Sequence, residues 1–209
     1  MEKDRKRWEL KYRDRKFNPG QKANTILKKY RRFFPGGKAL DLAAGAGRNA
    51  VFLAEHGFEV EAVDISRAAL DRAKQSARSR GVRIKTVAAD LDAFVIPKEE
   101  YALILDFYFL DRRLIPKIKR GLKKGGMVVF ETYTTDQRDM AAGGPSKTKY
   151  LLKPNELLRL FQGFHILFYR EGIFREEGKR RAIASLIAKK KNSEIRSQNK
   201  ESVLLASDS

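Results

Sequence analysis

Two closely spaced glycines follow an apolar run early in the chain and form its clearest ligand-binding pattern. Gly45 and Gly47 come directly after residues 39–44, an apolar run that contains Asp41. Glycines permit a tight turn and let backbone N–H groups approach a ligand closely. A predicted helix begins at residue 48, and a helix N-terminus favours negative charge. The pattern therefore predicts a ligand-binding turn between a strand and a helix.

Two classes of ligand fit such a turn, and Asp41 distinguishes between them. In a dinucleotide site the turn faces a pyrophosphate, and the spacing Gly45-x-Gly47-x-x-Ala50 matches the loose pattern of such sites. A carboxylate near 4 Å from a pyrophosphate would repel it at a cost of about 1–4 kcal/mol. S-adenosylmethionine carries an ammonium, a sulfonium and a carboxylate but no phosphate. An acidic turn therefore favours this cofactor over a nicotinamide dinucleotide.

Three further acidic residues close successive predicted strands. Asp64 ends the second strand, 17 residues after Gly47, where a carboxylate can accept hydrogen bonds from both ribose hydroxyls. Asp90 follows the third strand and can bind the adenine amino group, and Asp106 ends the fourth and can join the ammonium site. Ligands of doubly wound sheets bind outside the carboxyl ends of the strands, so these acids are expected to share one site.

Apolar side chains next to these acids extend the predicted site. Ile65 and Leu91 can sandwich an adenine ring, and Phe107 lies level with the methionine part of the cofactor. A single acid at a strand end is more often a helix cap or a solvated loop residue. Four acids at the ends of four successive strands favour a common ligand instead.

The elements that position these residues are apolar runs separated by amphipathic segments. Such continuous apolar strands are typical of a parallel sheet covered by helices on both faces. The sequence therefore predicts an α/β, Rossmann-like fold with a doubly wound, seven-stranded, mostly parallel sheet, whose last two strands form a hairpin joined through residues 171–179. The predicted strands are 39–44, 58–63, 82–88, 101–105, 127–130, 166–169 and 182–188, and helices are predicted at 3–16, 21–34 and 48–56 and after Ser66, Asp111 and Pro154.

The length of 209 residues fits one domain with short extensions. We predict a basic helical extension at 1–37, the sheet domain at 38–188 and a polar, disordered tail at 189–209. The extension contains 13 basic and 4 acidic side chains, which is about half of the net charge of +19. It is either a nucleic-acid-binding arm or a solvated amphipathic helix.

Composition excludes several classes of site. The absence of cysteine excludes disulfides, cysteine-based zinc sites and a cysteine nucleophile. No His, Asp and Glu cluster has metal-ligand spacing, so no metal is expected. No apolar run reaches the ~18 residues of a membrane span. The charged N-terminus lacks the apolar core of a signal peptide, which predicts a cytoplasmic protein with no membrane partner.

On these motifs the sequence resembles the class I S-adenosylmethionine-dependent methyltransferases. ALDLAAGAGRNAVFLA resembles their first motif, VEAVDIS the second, AADLDAF the third and LKKGGMVVFET the element after the fourth strand. The resemblance covers residues 38–188. Within this superfamily, GRNAVFLAEHG, FYFLDRRLIP, ETYTTDQ and GGPSKTKYLLKPNELLRLF are most similar to small tellurite-resistance-type methyltransferases, which mostly act on small molecules.

One position departs from the family pattern. The first glycine of the usual D-x-G-x-G-x-G is Ala43 here, which is tolerable if the backbone stays extended at that residue. The departure bears on how closely the carboxylate end of the cofactor approaches. The predicted cofactor-binding residues are Asp41, Ala43, Gly45, Gly47, Asp64, Ile65, Asp90, Leu91, Asp106 and Phe107.

The resemblance implies methyl transfer from S-adenosylmethionine to a small-molecule acceptor by in-line displacement. A thiolate or another anion needs no general base, whereas an alcohol or amine needs one. We assign no catalytic residue. Arg48 either pairs with the cofactor carboxylate or is exposed, and residues 134–152 are expected to cover the acceptor site. Candidate acceptor-side residues are Tyr108, Tyr133, Asp136 and Tyr150.

Three other functions remain open on the sequence. The basic extension allows an RNA or protein methyltransferase, although the lack of cysteine excludes a covalent cytosine-C5 mechanism. A nicotinamide-dependent oxidoreductase would bind a dinucleotide tightly and ignore S-adenosylmethionine. A non-catalytic sensor would bind S-adenosylmethionine without turnover.

Overall fold

A twisted sheet with helices on both faces forms the centre of the protein. The computed structural model describes residues 2–140, 143–145, 147–176 and 178–192. Within these residues the sheet has seven strands in the order β3-β2-β1-β4-β5-β7-β6. The strands are β1 Lys38–Leu42, β2 Glu59–Asp64, β3 Lys85–Ala88, β4 Tyr101–Phe107, β5 Leu122–Tyr133, β6 His165–Glu176 and β7 Lys179–Lys189.

Strands β1 to β5 are parallel, and β7 runs antiparallel to both β5 and β6. The prediction of an α/β, doubly wound, mostly parallel sheet is therefore confirmed. The helices between and before the strands are α1 Glu2–Arg13, α2 Thr25–Tyr30, α3 Arg48–Glu55, α4 Arg67–Ser79, α5 Leu114–Gly121 and α6 Glu156–Leu160, with short 3-10 helices at Arg31–Phe33, Thr135–Asp139 and Thr148–Tyr150.

Alternate residues of the central strands enter two separate cores. Leu40 of β1 and Ile104 of β4 belong to the core that α5 and α6 cover. Leu103, the neighbour of Ile104, belongs to the core under α2 and α3. Successive side chains of a strand point to opposite faces, so strands buried on both faces have continuous apolar sequences. This two-sided packing fixes the carboxyl ends of β1, β2 and β4 at one edge.

The final hairpin is longer than the sequence predicts. β6 continues to Glu176, which pairs with Lys179 at the start of β7, so the expected connection at 171–179 lies mostly inside the two strands. These strand ends carry charged side chains rather than an apolar run, which is why the pattern indicated a loop. At the other end, Lys189 still belongs to β7 and pairs with Met127. Residues 193–209 of the predicted tail lie outside the described residues.

The N-terminal segment contributes to the core beneath α2 and α3. Helix α2 begins at Thr25 instead of residue 21 because the Asn24 side chain accepts the N–H of Ile26 and caps it. Ile26 and Leu27 are buried against the sheet. Helix α1, by contrast, has no buried residue. The two helices of this segment are therefore held in different ways, α2 by apolar packing and α1 by polar contacts.

Candidate functional site

The turn between β1 and α3 adopts the conformation that its glycines allow. Gly45 and Gly47 have φ values of +55° and +74°, in the left-handed region that glycine enters without steric cost. A Cβ on Gly47 would lie 2.6 Å from the Cβ of Ala73, so α4 packs directly against this turn. Gly47 also caps α3. The turn therefore needs glycine for both its backbone conformation and its packing.

Ala43 is also in the left-handed region, with φ of +51°. The expectation of an extended backbone at this residue is wrong, and Ala43 has a strained backbone conformation. A left-handed conformation costs a non-glycine residue roughly 1–2 kcal/mol. The glycine usual at this place in the family pattern would avoid that strain.

Ala43→Gly is accordingly expected to stabilise the protein by about 0.5–1 kcal/mol, because relief of the strain exceeds the added entropy of the unfolded chain. Chemical denaturation of wild type and variant measures this difference. Ala44→Gly is the matched control, since Ala44 does not have a positive φ and its substitution should destabilise. Equal effects at both positions would contradict the assignment of strain to Ala43.

Asp64, at the end of β2, is joined to the glycine turn. One oxygen of its carboxylate accepts the N–H of Gly45 at 2.8 Å, and the other accepts the N–H of Ser66 at 2.9 Å. Burial raises its pKa against these hydrogen bonds, which lower it. The two strand ends are thus bound to each other, and a carboxylate that can accept further hydrogen bonds lies beside the turn.

Asp41 and Asp106 form a buried acidic pair at the ends of β1 and β4. Each is only 1% exposed. Oδ2 of Asp41 and both carboxylate oxygens of Asp106 have no hydrogen-bond partner among the described residues. Burial raises the pKa of Asp41 to about 7, and burial followed by the charge of Asp41 raises the pKa of Asp106 well above its usual value. Unpaired buried carboxylates are costly, so this arrangement suits a cationic ligand.

The remaining predicted cofactor-binding residues, Ile65, Asp90, Leu91 and Phe107, follow or end strands at the same edge of the sheet. Asp90 is half-buried and accepts the N–H of Asp92 at 3.1 Å. Leu91 and Phe107 are buried in the two different cores, and Ile65 is partly exposed next to Asp64. The sandwiching of adenine between Ile65 and Leu91 stays a prediction.

A buried polar network lies at the carboxyl end of β5 and includes one of the candidate acceptor-side residues. Glu131 is fully buried. Its carboxylate accepts hydrogen bonds from Asn24 at 2.8 Å, Tyr108 at 2.9 Å, Ser185 at 2.6 Å and Arg170 at 3.3 Å. Because the four donors come from distant parts of the chain, the local sequence pattern around Glu131 does not indicate the network.

Tyr108 links this network to the glycine turn. Its φ is +60°, and its ring lies 5.2 Å from that of Tyr133. The guanidinium carbons of Arg48 and Arg181 lie 6.0 and 5.1 Å from the ring centre. Strained backbone at a strand end is characteristic of functional sites. Tyr108 and Tyr133 thus lie together near the turn.

The segment beyond β5 is anchored at both ends. Thr134 forms a bridge with Leu152, which is fully buried. Asp136 lies on the first 3-10 helix of this segment, and Tyr150 ends the second and is 36% exposed. The expectation that residues 134–152 cover the acceptor site stays a prediction. Residues 141, 142 and 146 of this segment lie outside the described residues.

The N-terminal helix α1 lies against the glycine turn between β1 and α3, which the sequence did not indicate. Glu9 accepts hydrogen bonds from the Ser66 hydroxyl at 2.9 Å and from the Ala68 N–H at 3.2 Å. The hydroxyl of Tyr12 lies against Gly45, where an added Cβ would overlap it. Contacts between residues more than 30 positions apart leave no periodic pattern in the sequence, so reasoning from the sequence missed both residues.

Neither a membrane span nor a metal site is found in the described part of the chain. None of the helices described there is long and apolar enough to cross a bilayer. No group of three or more His, Cys, Asp or Glu side chains there is placed to hold a metal ion.

Comparisons with known proteins point to one family. Residues 39–126 match a family model described as a methyltransferase domain. The "Probable S-adenosyl-L-methionine-dependent methyltransferase TehB" of Haemophilus influenzae is 27% identical over 144 residues, which cover 65% of this chain and 49% of that protein. The chain thus spans about half the length of the curated relatives it matches first. Ribosomal RNA small subunit methyltransferase C of Alcanivorax borkumensis is 28% identical over 100 residues, 44% of this chain and 31% of that protein.

Solved structures show the same fold. The crystal structure of TehB from Haemophilus influenzae superposes with a TM-score of 0.67 at 23% identity, covering 79% of this chain and 61% of that one. A structure reported for the conversion of a disulfide bond into a thioacetal group during echinomycin biosynthesis gives a TM-score of 0.71 at 16% identity. It covers 97% of this chain and 98% of that chain, so the similarity of fold extends over the N-terminal helices.

Proposed function

Because this chain carries a class I S-adenosylmethionine-dependent methyltransferase domain similar to TehB, we propose that it transfers a methyl group to a small-molecule acceptor. The observation that supports this most strongly is the pair of buried carboxylates, Asp41 and Asp106, in which Oδ2 of Asp41 and both oxygens of Asp106 lack partners among the described residues. A cationic cofactor would supply the missing charge. A pyrophosphate in the same place would add repulsion instead.

The residues of the turn fit S-adenosylmethionine in this proposal. Asp64 would accept the ribose hydroxyls, and Asp41 and Asp106 would hold the cationic end. When bound, the cofactor supplies a methyl group on a sulfonium, which an acceptor atom can displace in line. Asp90, Ile65 and Leu91 would bind the adenine. The buried surroundings of Asp41 and Asp106 exclude water and strengthen these interactions.

Binding of S-adenosylhomocysteine, the demethylated product, is expected to strengthen by about tenfold between pH 6 and pH 8. Asp41, with a pKa of about 7, is mostly protonated at pH 6 and mostly ionised at pH 8. The ligand's amino group favours the ionised carboxylate, so binding releases protons. Calorimetry in buffers of different ionisation enthalpy measures both the affinity and the protons released.

In the free protein, the pH dependence of stability has the opposite sign to that of ligand affinity. A carboxyl group whose pKa is raised on folding contributes stability that is lost as pH rises through that pKa, here about 7. Asp41→Asn should remove the part of the pH dependence of binding that the titration of Asp41 causes. An affinity that is flat between pH 6 and pH 8 in wild type would contradict the raised pKa values.

A small acceptor is favoured over RNA by the charge pairing of α1. Four of its basic residues form ion pairs with acidic residues three or four positions away in the same helix, namely Arg5, Lys6, Arg7 and Arg13. This pairing reduces the positive charge available to a polyanion. The RNA alternative is supported by the overall basic charge of the extension and by the similarity to a ribosomal RNA methyltransferase over 100 residues.

Transfer of a radiolabelled methyl group from S-adenosylmethionine tests the proposal directly. We expect incorporation into a member of a panel of thiols, chalcogen oxyanions and amines, and none into transfer RNA. Labelling of RNA alone would favour the alternative. Tight NADH binding without binding of S-adenosylhomocysteine would overturn the methyltransferase assignment.

A further inference from the structure

The N-terminal helix contributes a tyrosine to the cofactor turn. Tyr12 lies on the last turns of α1, and its hydroxyl lies against Gly45. That hydroxyl also interacts with the backbone of Ala46, the next residue of the turn. Arg48, at the start of α3, and Asp64, at the end of β2, act on it electrostatically. Tyr12 is therefore close to the groups that the proposed function assigns to the cofactor.

We propose that Tyr12 is a cofactor-binding residue whose hydroxyl donates a hydrogen bond to the carboxylate of the bound cofactor's amino-acid end. This inference rests on the proposed function and deepens it. It gives the N-terminal segment a part in the cofactor site. It also supplies a hydrogen-bond donor for a carboxylate beside a turn that is flanked by the acidic side chains of Asp41 and Asp64.

The hydroxyl is well suited to donate. Burial, and then the negative charge of Asp64, raise the pKa of Tyr12 to about 12, so the phenol keeps its proton. The Ala46 N–H donates to the hydroxyl oxygen and partly offsets this rise, so the phenolic proton itself remains to be donated. A ligand carboxylate would accept it.

The ring of Tyr12 is held in place before any ligand binds. Phe17 packs against it edge-on with ring centres 5.2 Å apart, and the guanidinium carbon of Arg72 lies 6.0 Å from its centre. Arg72 in turn donates to the carbonyl oxygens of Phe17 and Asp14 at 2.8 Å each. A side chain fixed in this way loses little entropy when it contacts a ligand.

Glu9 is the positioning residue in this arrangement. It binds the Ser66 hydroxyl and the Ala68 N–H at the start of α4. Because α1 buries no residue of its own, these polar contacts carry much of its attachment. Loss of the Glu9 carboxylate should therefore weaken cofactor binding, because Tyr12 would no longer be held in position.

The test compares two ligands by calorimetry. S-adenosylhomocysteine carries the amino-acid end, whereas 5′-methylthioadenosine has the same adenine, ribose and thioether without it. Tyr12→Phe keeps the ring and removes the hydroxyl. It should lower the affinity for S-adenosylhomocysteine by about tenfold, the usual effect of losing a hydrogen bond to a charged group. The affinity for 5′-methylthioadenosine should stay within about twofold of the wild-type value. Tyr30→Phe is the control, because Tyr30 packs on Phe168 away from the turn.

Equal weakening of both ligands would overturn the proposal, as would unchanged or tighter binding of S-adenosylhomocysteine. Glu9→Gln should weaken the binding of S-adenosylhomocysteine when introduced into the wild-type protein. It should have a smaller effect on that binding in the Tyr12→Phe background. Equal effects in both backgrounds would contradict its positioning role. Asp64→Ala, measured in parallel, separates the two proposals: if it loses binding while Tyr12→Phe does not, only the inference about Tyr12 fails.

Discussion

Asp64→Ala is expected to weaken the binding of S-adenosylhomocysteine by about 100-fold. In the proposed site this carboxylate accepts hydrogen bonds from both ribose hydroxyls, and each bond to a charged group contributes roughly 1.5–3 kcal/mol. Asp64 also holds the N–H of Gly45 at 2.8 Å, so its removal loosens the turn that contacts the ligand. Isothermal titration calorimetry measures the affinity.

Two variants sharpen this experiment. Asp64→Asn keeps one acceptor oxygen, so its affinity for S-adenosylhomocysteine should lie between those of wild type and Asp64→Ala. Asp71→Ala removes a carboxylate from the exposed face of α4, where the side chain is 73% exposed, and should leave the affinity unchanged. Wild-type affinity in Asp64→Ala would show that the ribose does not bind at the end of β2.

Glu131→Ala is expected to lower the free energy of unfolding by about 3 kcal/mol. Removal of a buried carboxylate leaves its partners without their acceptor, and breaking a buried ion pair typically costs 3–5 kcal/mol. Here the partners are Asn24, Tyr108, Ser185 and Arg170. The lower end of the range applies because the Arg170 side chain is 26% exposed and can regain water.

Urea denaturation measures this loss. Glu131→Gln keeps one acceptor oxygen and most of the volume, and should cost less than Glu131→Ala. The Asp71→Ala variant serves again as the control, because its ion pair with Lys74 lies on the surface. If Glu131→Ala were as stable as this control, the network would not stabilise the fold.

The sequence predicts the central strands and the acids at their ends because both signals are local. Strands buried on both faces are continuous apolar runs, and the acids lie within a run, as Asp41 does, or directly after it, as Asp106 does. The conformation of Ala43 was wrongly expected because a residue type does not fix a backbone angle. The charged ends of β6 and β7 lack the apolar signal, so their pairing as far as Glu176 was not predicted.

The parts of the site that could not be predicted depend on contacts between distant residues. Glu9 meets Ser66 across 57 positions, and Asn24 meets Glu131 across 107. Periodicity describes which face of an element is buried but not which partner it meets. The role of the N-terminal segment therefore became visible only once the fold brought α1 against α4.

The network around Glu131 also constrains the order in which the chain can assemble. Asn24 and Ser185 bind the same carboxylate, although they lie near opposite ends of the described chain. During synthesis the N-terminal helices leave the ribosome first, yet their anchor is complete only after β7 has emerged. Long-range contacts of this kind form late. A nascent chain halted before β7 would thus hold the Glu131 carboxylate without its Ser185 partner.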